Sequence, residues 1–171
     1  RINAAGRLDD MAYGIQCLLA DDLMSARVMA AELDGLNRSR REIEQGMQNE
    51  AEIILKQLKF DSQNLPYSIA LFHPEWHQGV IGIVAGRIKE KFHRPTIVFA
   101  AAENGREIKG SARSIPGLHI RDLLEAIHCK HPSLINKFGG HAMAAGLSID
   151  VDNFEAFKLA FEQEAMRLLD E

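Results

Sequence analysis

One stretch restricts this chain more than any other: Phe138-Gly139-Gly140-His141-Ala142-Met143-Ala144-Ala145-Gly146, running into Leu147-Ser148-Ile149. Two adjacent glycines permit positive φ and remove the side chains that would hold a ligand away from the main chain. Successive N–H groups in such a turn can form a concavity for an anion, with His141 adding a donor at its rim. The small residues that follow allow tight packing, and the alternation after them predicts a strand over 144–149. The same residues also fit a tight turn with a core histidine, and the choice between the two rests on the rest of the chain.

A second block is His73-Pro74-Glu75-Trp76-His77-Gln78-Gly79-Val80-Ile81-Gly82-Ile83-Val84-Ala85-Gly86-Arg87. Apolar Val80, Ile83, Val84 and Ile88 recur at helical spacing, which predicts a helix over 79–92. Gly79, Gly82 and Gly86 would share one face of it. Each glycine weakens a helix by about 0.5–1 kcal/mol relative to alanine, so three on one face suggest close backbone contact. His77 and Gln78 would then stand at the helix N-terminus, where free N–H groups favour an anion; a capping histidine on a closely packed helix is the plainer alternative. In the strand expected over 107–113, Lys109, Ser111 and Arg113 point to one side and Ile108, Gly110 and Ala112 to the other. The polar side reads either as a phosphate ladder, with Arg113 suited to bidentate contact, or as the wet face of an edge hairpin.

Between and around these blocks the periodicity predicts a short helix near 11–20, introduced by Asp9 and Asp10, and a long one from Asp21-Asp22 to about Leu58. The middle of the long helix, Asn37-Arg38-Ser39-Arg40-Arg41-Glu42, lacks a continuous apolar side, as in a connector solvated on most sides. Arg38, Arg40 and Arg41 could touch nucleic acid, but a solvated face balanced by Glu42 and Glu44 is the preferred reading. Residues 61–66 form a loop and the boundary between a helical part, 1–60, and an α/β part, 61–171. The α/β part holds strands at 68–72, 96–101 and 107–113, an Asn104-Gly105 turn, and a helix over 120–129. A last helix opens at Asp152-Asn153-Phe154-Glu155, which resembles a capping box. The expected fold is therefore α/β: a helical connector followed by a mixed sheet with helices packed on it.

With 20 Lys+Arg against 24 Asp+Glu, a net charge of −4 excludes a globally basic nucleic-acid binder, so a phosphate site must be local. Two cysteines, Cys17 and Cys129, make no disulfide framework and fit a reducing, cytoplasmic compartment. No apolar run reaches membrane-spanning length. His128-Cys129-Lys130-His131 has metal-ligand residue types but no companion ligand group at recognised spacing, and no carboxylate cluster of the two-metal kind is present. The first residue is Arg1 and not Met, so the chain is read as a piece of a longer protein.

Taken in order, RINAAGR (1–7), HPEWHQGVIGIVAGR (73–87), GSARS (110–114) and FGGHAMAAG (138–146) resemble the C-terminal half of the DHH phosphoesterase family, on its single-stranded-DNA-specific exonuclease branch. The resemblance implies hydrolysis of phosphodiester bonds from the 5′ end of single-stranded DNA, in DNA repair and recombination. It implies two divalent ions, Mn or Mg, held by an N-terminal DHH domain that this chain lacks, so the piece alone should be inactive. It places Arg7, and with it Asn3, beside the active site. It gives Ser111 and Arg113 one phosphate, and Gly139, Gly140 and His141 another, with His77, Gln78 and Arg87 also carried over to the nucleic acid. Implied partners are single-stranded DNA, the DHH domain and other repair proteins. Two alternatives stay open: an oligoribonuclease or nucleotide phosphatase of the same superfamily, and a non-catalytic module that binds a partner through helical surface such as Ala30-Ala31-Glu32.

Overall fold

The computed structural model describes residues 2–57 and 65–169. Residues 61–64 of the expected boundary loop, and the expected helix end at Leu58, lie outside them. The chain divides into two compact units, 1–49 and 50–171.

The first unit holds α1 (Ile2–Leu8), α2 (Met11–Leu18) and the larger part of α3 (Leu23–Gln57). The α1 segment has a glycine and no periodic run, yet it is helical because Ala4 and Ala5 are fully buried. Gly14 of α2 lets the two short helices meet, since a Cβ there would lie 2.9 Å from Ile2 Cγ2. Asp10 caps α2 by accepting from Ala12 N at 2.8 Å, and Asp22 receives Ser25 N at 2.8 Å before α3. The expectation for the polar middle of α3 needs correcting at one pair. Arg40 and Glu44 form an ion pair whose side chains are only 11% and 13% exposed, because a four-residue spacing stacks them on one side of the helix. Ile15, Leu18, Leu19, Leu23, Met24 and Val28 are exposed apolar residues of this unit.

In the second unit, β1 (Ile69–His73), α4 (Ile81–Phe92), β2 (Thr96–Ala101), β3 (Glu107–Arg113), α5 (Ile120–Lys130), β4 (Lys137–Gly140), β5 (Ala144–Asp150) and α6 (Phe154–Leu169) build one five-stranded sheet, ordered β1-β2-β3-β5-β4. The β1–β2 pair is parallel, as a strand–helix–strand crossover through α4 requires; the other pairs are antiparallel. This is the mixed sheet with packed helices that the sequence pattern implied. One face carries Ile97, Phe99, Ile108, Ala112, Ala145, Leu147 and Ile149, and α5 and α6 close over it with Leu123, Leu124, Ile127, Phe157 and Phe161. Helix α4 packs on β2 and β3. Buried residues on both sides of the pleat explain why β2 reads Thr-Ile-Val-Phe-Ala-Ala, without alternation.

Carboxylates fasten the edges of this unit. Glu162 of α6 accepts Tyr67 N and Ser68 N, both at 2.8 Å, at the entry to β1. Trp76 is 4% exposed and donates from Nε1 to Glu50 of α3 at 2.6 Å. The expected capping box is replaced by a short 3-10 turn, Val151–Asn153, leading into α6, and the Asn153 amide donates to Ser133 O at 3.0 Å instead.

Candidate nucleic-acid interface

Directly opposed residues of an antiparallel pair share a face, so the register arranges the second face of the sheet in rungs. Arg113 lies beside Ala144 of β5, and Ser111 beside Gly146, which lies beside Gly139 of β4. Lys109 lies beside Ser148, which lies beside Lys137. Beyond the strand end, His141 N donates to Ala144 O at 2.9 Å, which aligns His141 with the Arg113 rung. Ala144, Gly146 and Gly139 are exposed, so this part of the sheet is uncovered.

Arg113 is held from below. Its Nη1 donates to Ser111 Oγ at 3.0 Å and to Ala112 O at 2.8 Å. Burial pushes the guanidinium pKa below its ordinary value, and an anion arriving there would offset that desolvation. Helix α4 meets this group through Gly82, where a Cβ would lie 2.7 Å from Arg113 Nη2 and 2.9 Å from Ser111 Oγ.

The two glycines of the motif have different jobs. Gly140 has φ +152° and faces the core side, where a Cβ would sit 2.4 Å from Ala144 O, so folding itself requires glycine there. At Gly139 a Cβ would meet nothing within 4 Å, and at Gly146 only Gly110 O at 3.9 Å. Internal packing does not demand those two. Their effect is to leave backbone bare on the open face, inside a cleft of about 370 Å³ lined also by Lys109, Lys137 and Ser148.

Several expectations change here. Gly139 and Gly140 belong to strand β4, and the connection to β5 is residues 141–143. The His141 N–H is spent inside that hairpin, which leaves the imidazole as its contribution. Strand β3 is central, so the polar side of residues 109–113 is not that of an edge hairpin. Helix α4 starts at Ile81 and not at Gly79, because His77 turns the chain first: its Nδ1 accepts Gly79 N at 3.0 Å and its carbonyl accepts Val80 N at 3.0 Å. Gln78 donates to Ala101 O at 2.8 Å, tying this turn to the end of β2. The three-glycine face does not form: Gly79 lies outside the helix, and a Cβ at Gly86 would meet nothing within 4 Å.

The structure therefore brings Ser111, Arg113, Gly139 and His141 to one surface. It leaves His77 and Gln78 in the turn before α4. Arg87 is exposed on α4, 3.9 Å from Glu90, and five residues on from Gly82 it lies about 140° around the helix. Asn3 and Arg7 are exposed four residues apart on one side of α1, in the other unit. Lys137 and Gly146 were missed as site residues, and Lys109 was seen only as part of the ladder. The period-2 rule finds Lys137 once 137–140 is known to be a strand. Among the described residues no three His, Cys, Asp or Glu side chains are grouped to hold a metal ion.

A family model for the DHHA1 domain matches residues 64–167. The chain belongs to the DHHA1 domain family. Its DHHA1 domain thus contains every rung of the open sheet face. The chain is 57% identical to the single-stranded-DNA-specific exonuclease RecJ of Salmonella typhimurium, over 99% of its own length and 29% of that protein's. It therefore spans under a third of the length of such curated relatives. Among solved structures, RecJ from Thermus thermophilus in complex with Mg2+ superposes with TM-score 0.82 and 36% identity, covering 97% of this chain and 24% of that one. An exonuclease RecJ bound to manganese gives 0.79 and 34%, covering 99% and 42%.

Proposed function

We propose that this DHHA1 domain is the strand-holding part of a single-stranded-DNA exonuclease that cuts phosphodiester bonds from the 5′ end, in DNA repair and recombination in the cytoplasm. The observation that carries the reading is the open sheet face, where cations flank a floor without side chains, in a chain similar along its whole length to such an exonuclease. Arg113, seated by Ser111 and pressed by Gly82, holds one phosphate by charge-assisted hydrogen bonds. His141 and the bare Gly139–Gly146 backbone receive the neighbouring part of the strand. Arg7 and Asn3 act from α1 near the reacting phosphate, where a guanidinium would offset developing negative charge. His77, Gln78 and Arg87 are supporting contacts to the strand; Gln78 and His77 also hold the turn in shape. The divalent ions, Mg or Mn, and the attacking water belong to residues of the longer protein outside this chain, so the chain alone binds without cutting.

The test uses the full-length protein with Mg2+ or Mn2+. Long single strands should be degraded to mononucleotides, and duplexes of the same sequence should not. Arg113→Ala should weaken single-strand binding by roughly ten- to a hundredfold, the equivalent of one or two charged hydrogen bonds. Preference for di- and trinucleotides over long DNA would move the reading to an oligoribonuclease or nucleotide phosphatase of the same superfamily. Unchanged binding in Arg113→Ala would remove the open face from the site.

A further inference from the structure

The Lys109 rung lies four residues along the strand from the Arg113 rung, about 13 Å away at the rise of a β-strand. Its two lysines stand two strand spacings apart, about 10 Å between Cα positions, on either side of Ser148. Both are exposed and line the same cleft. Neither ammonium makes a hydrogen bond or a close ion pair among the described residues, although the charge of Lys109 is felt at Glu107 two residues along the strand. Between the two cationic rungs lies the Ser111–Gly146–Gly139 rung, where no side chain rises beyond a hydroxyl.

One step further the sign of the surface reverses. Glu107 and Asp150 are register partners, and the Asn136 amide bridges them, donating to Glu107 Oε1 and Asp150 Oδ1, each at 2.8 Å. Asn104 also donates to Glu107 at 3.1 Å. These two carboxylates close one end of the face, directly beyond the lysines. A polyanion lying along the rungs would be attracted at Arg113, cross bare backbone, be attracted again at Lys109 and Lys137, and then be repelled.

We propose that Lys109 and Lys137 are a second phosphate grip, acting on the phosphodiester backbone of the same strand that Arg113 holds, and that Glu107 and Asp150 end the track. This rests on the single-strand reading above. It gives the track an end, with the strand passing between the lysines and turning off the sheet before the carboxylates. A short oligonucleotide seated at Arg113 does not reach the second grip, whereas a longer one does.

The experiment measures binding of fluorescent oligothymidylates, short and long, to the full-length protein by anisotropy over a range of salt concentrations. In the Lys109→Ala/Lys137→Ala double variant, affinity should fall about tenfold for long strands at low salt, with a loss that grows with strand length. Its salt slope should fall by roughly 0.7–1.4, the release expected from one or two phosphates of a single strand. Lys109→Arg/Lys137→Arg should restore the slope, which separates charge from a folding defect. Glu107→Gln/Asp150→Asn, which keeps the Asn136 bridge, should strengthen binding of long strands. An unchanged slope in the double alanine variant, while Arg113→Ala still weakens binding, would overturn the second grip and leave the exonuclease reading intact. No binding by the unaltered protein at low salt would instead remove the exonuclease reading.

Discussion

At Gly82 a single missing methyl group sets the position of an arginine on another element. With Cβ space only 2.7 Å from Arg113 Nη2, Gly82→Ala must displace the guanidinium or push α4 off the sheet. The arginine is the softer partner, so the expected outcome is a loss of single-strand affinity approaching that of Arg113→Ala, with the thermal midpoint nearly unchanged. Anisotropy and thermal denaturation on the same preparation check both halves. Residues of this kind were partly legible in the sequence. Ser111 and Arg113 on one face followed from strand periodicity, whereas the contact with Gly82 did not, because nothing in the periodicity of one element reports what lies across from it. Gly79, Gly82 and Gly86 look equivalent on paper, yet Gly79 lies before the helix, Gly86 faces open space and Gly82 meets Arg113.

Among the elements, the β4–β5 hairpin is where sequence reasoning fell shortest. Lys137-Phe138-Gly139-Gly140 has half its residues as glycine, a poor strand former, so it read as a turn. What makes it a strand is pairing with β5, a non-local interaction invisible to local propensity. Once paired, Gly140 is fixed by its positive φ and by Ala144 O. Gly140→Ala is expected to cost about 1–3 kcal/mol, in the range of strained backbone, and to loosen the hairpin that aligns His141. The measurement is denaturant unfolding together with amide exchange at Ala144–Asp150, where faster exchange at unchanged global stability would point to the hairpin alone. The helices were more transparent. Helix α5 agrees with its periodicity to within a residue and α3 starts directly after Asp21-Asp22 as expected, while α1 escaped it because two buried alanines in a seven-residue helix make no periodic signal.

For the whole molecule, stability and charge are linked through α6. Glu164 is 3% exposed and sits between Lys130 of α5 and Arg167, whose Nη2 is 2.6 Å from its Oε1. Burial by itself pushes this carboxyl up, but hydrogen bonds and charge from Arg167 and Lys130 together hold it below its ordinary value of 4.5. The sign follows from linkage: a carboxyl lowered in the folded state contributes stability in full above its unfolded value, and loses it as pH falls from about 4.5 through the folded value. The unfolding midpoint should therefore drop across that acid window, and Glu164→Gln should flatten that part of the curve; thermal melts at stepped pH measure both. The general architecture, helices first and then a mixed sheet under helices, could be anticipated because period and length distinguish the elements. Which sheet face stays open could not, since that depends on where α4, α5 and α6 come to rest.

The chain contains one tryptophan, and it is the residue whose indole reaches from the β1–α4 turn to Glu50 on α3. Its emission therefore reports on a single mechanical joint. A blue, weakly quenched spectrum means the last turns of the long helix are seated on the sheet domain; a red shift means that joint has opened, whatever the remainder of the fold is doing. The chain carries its own optical gauge where the last turns of the helix meet the sheet.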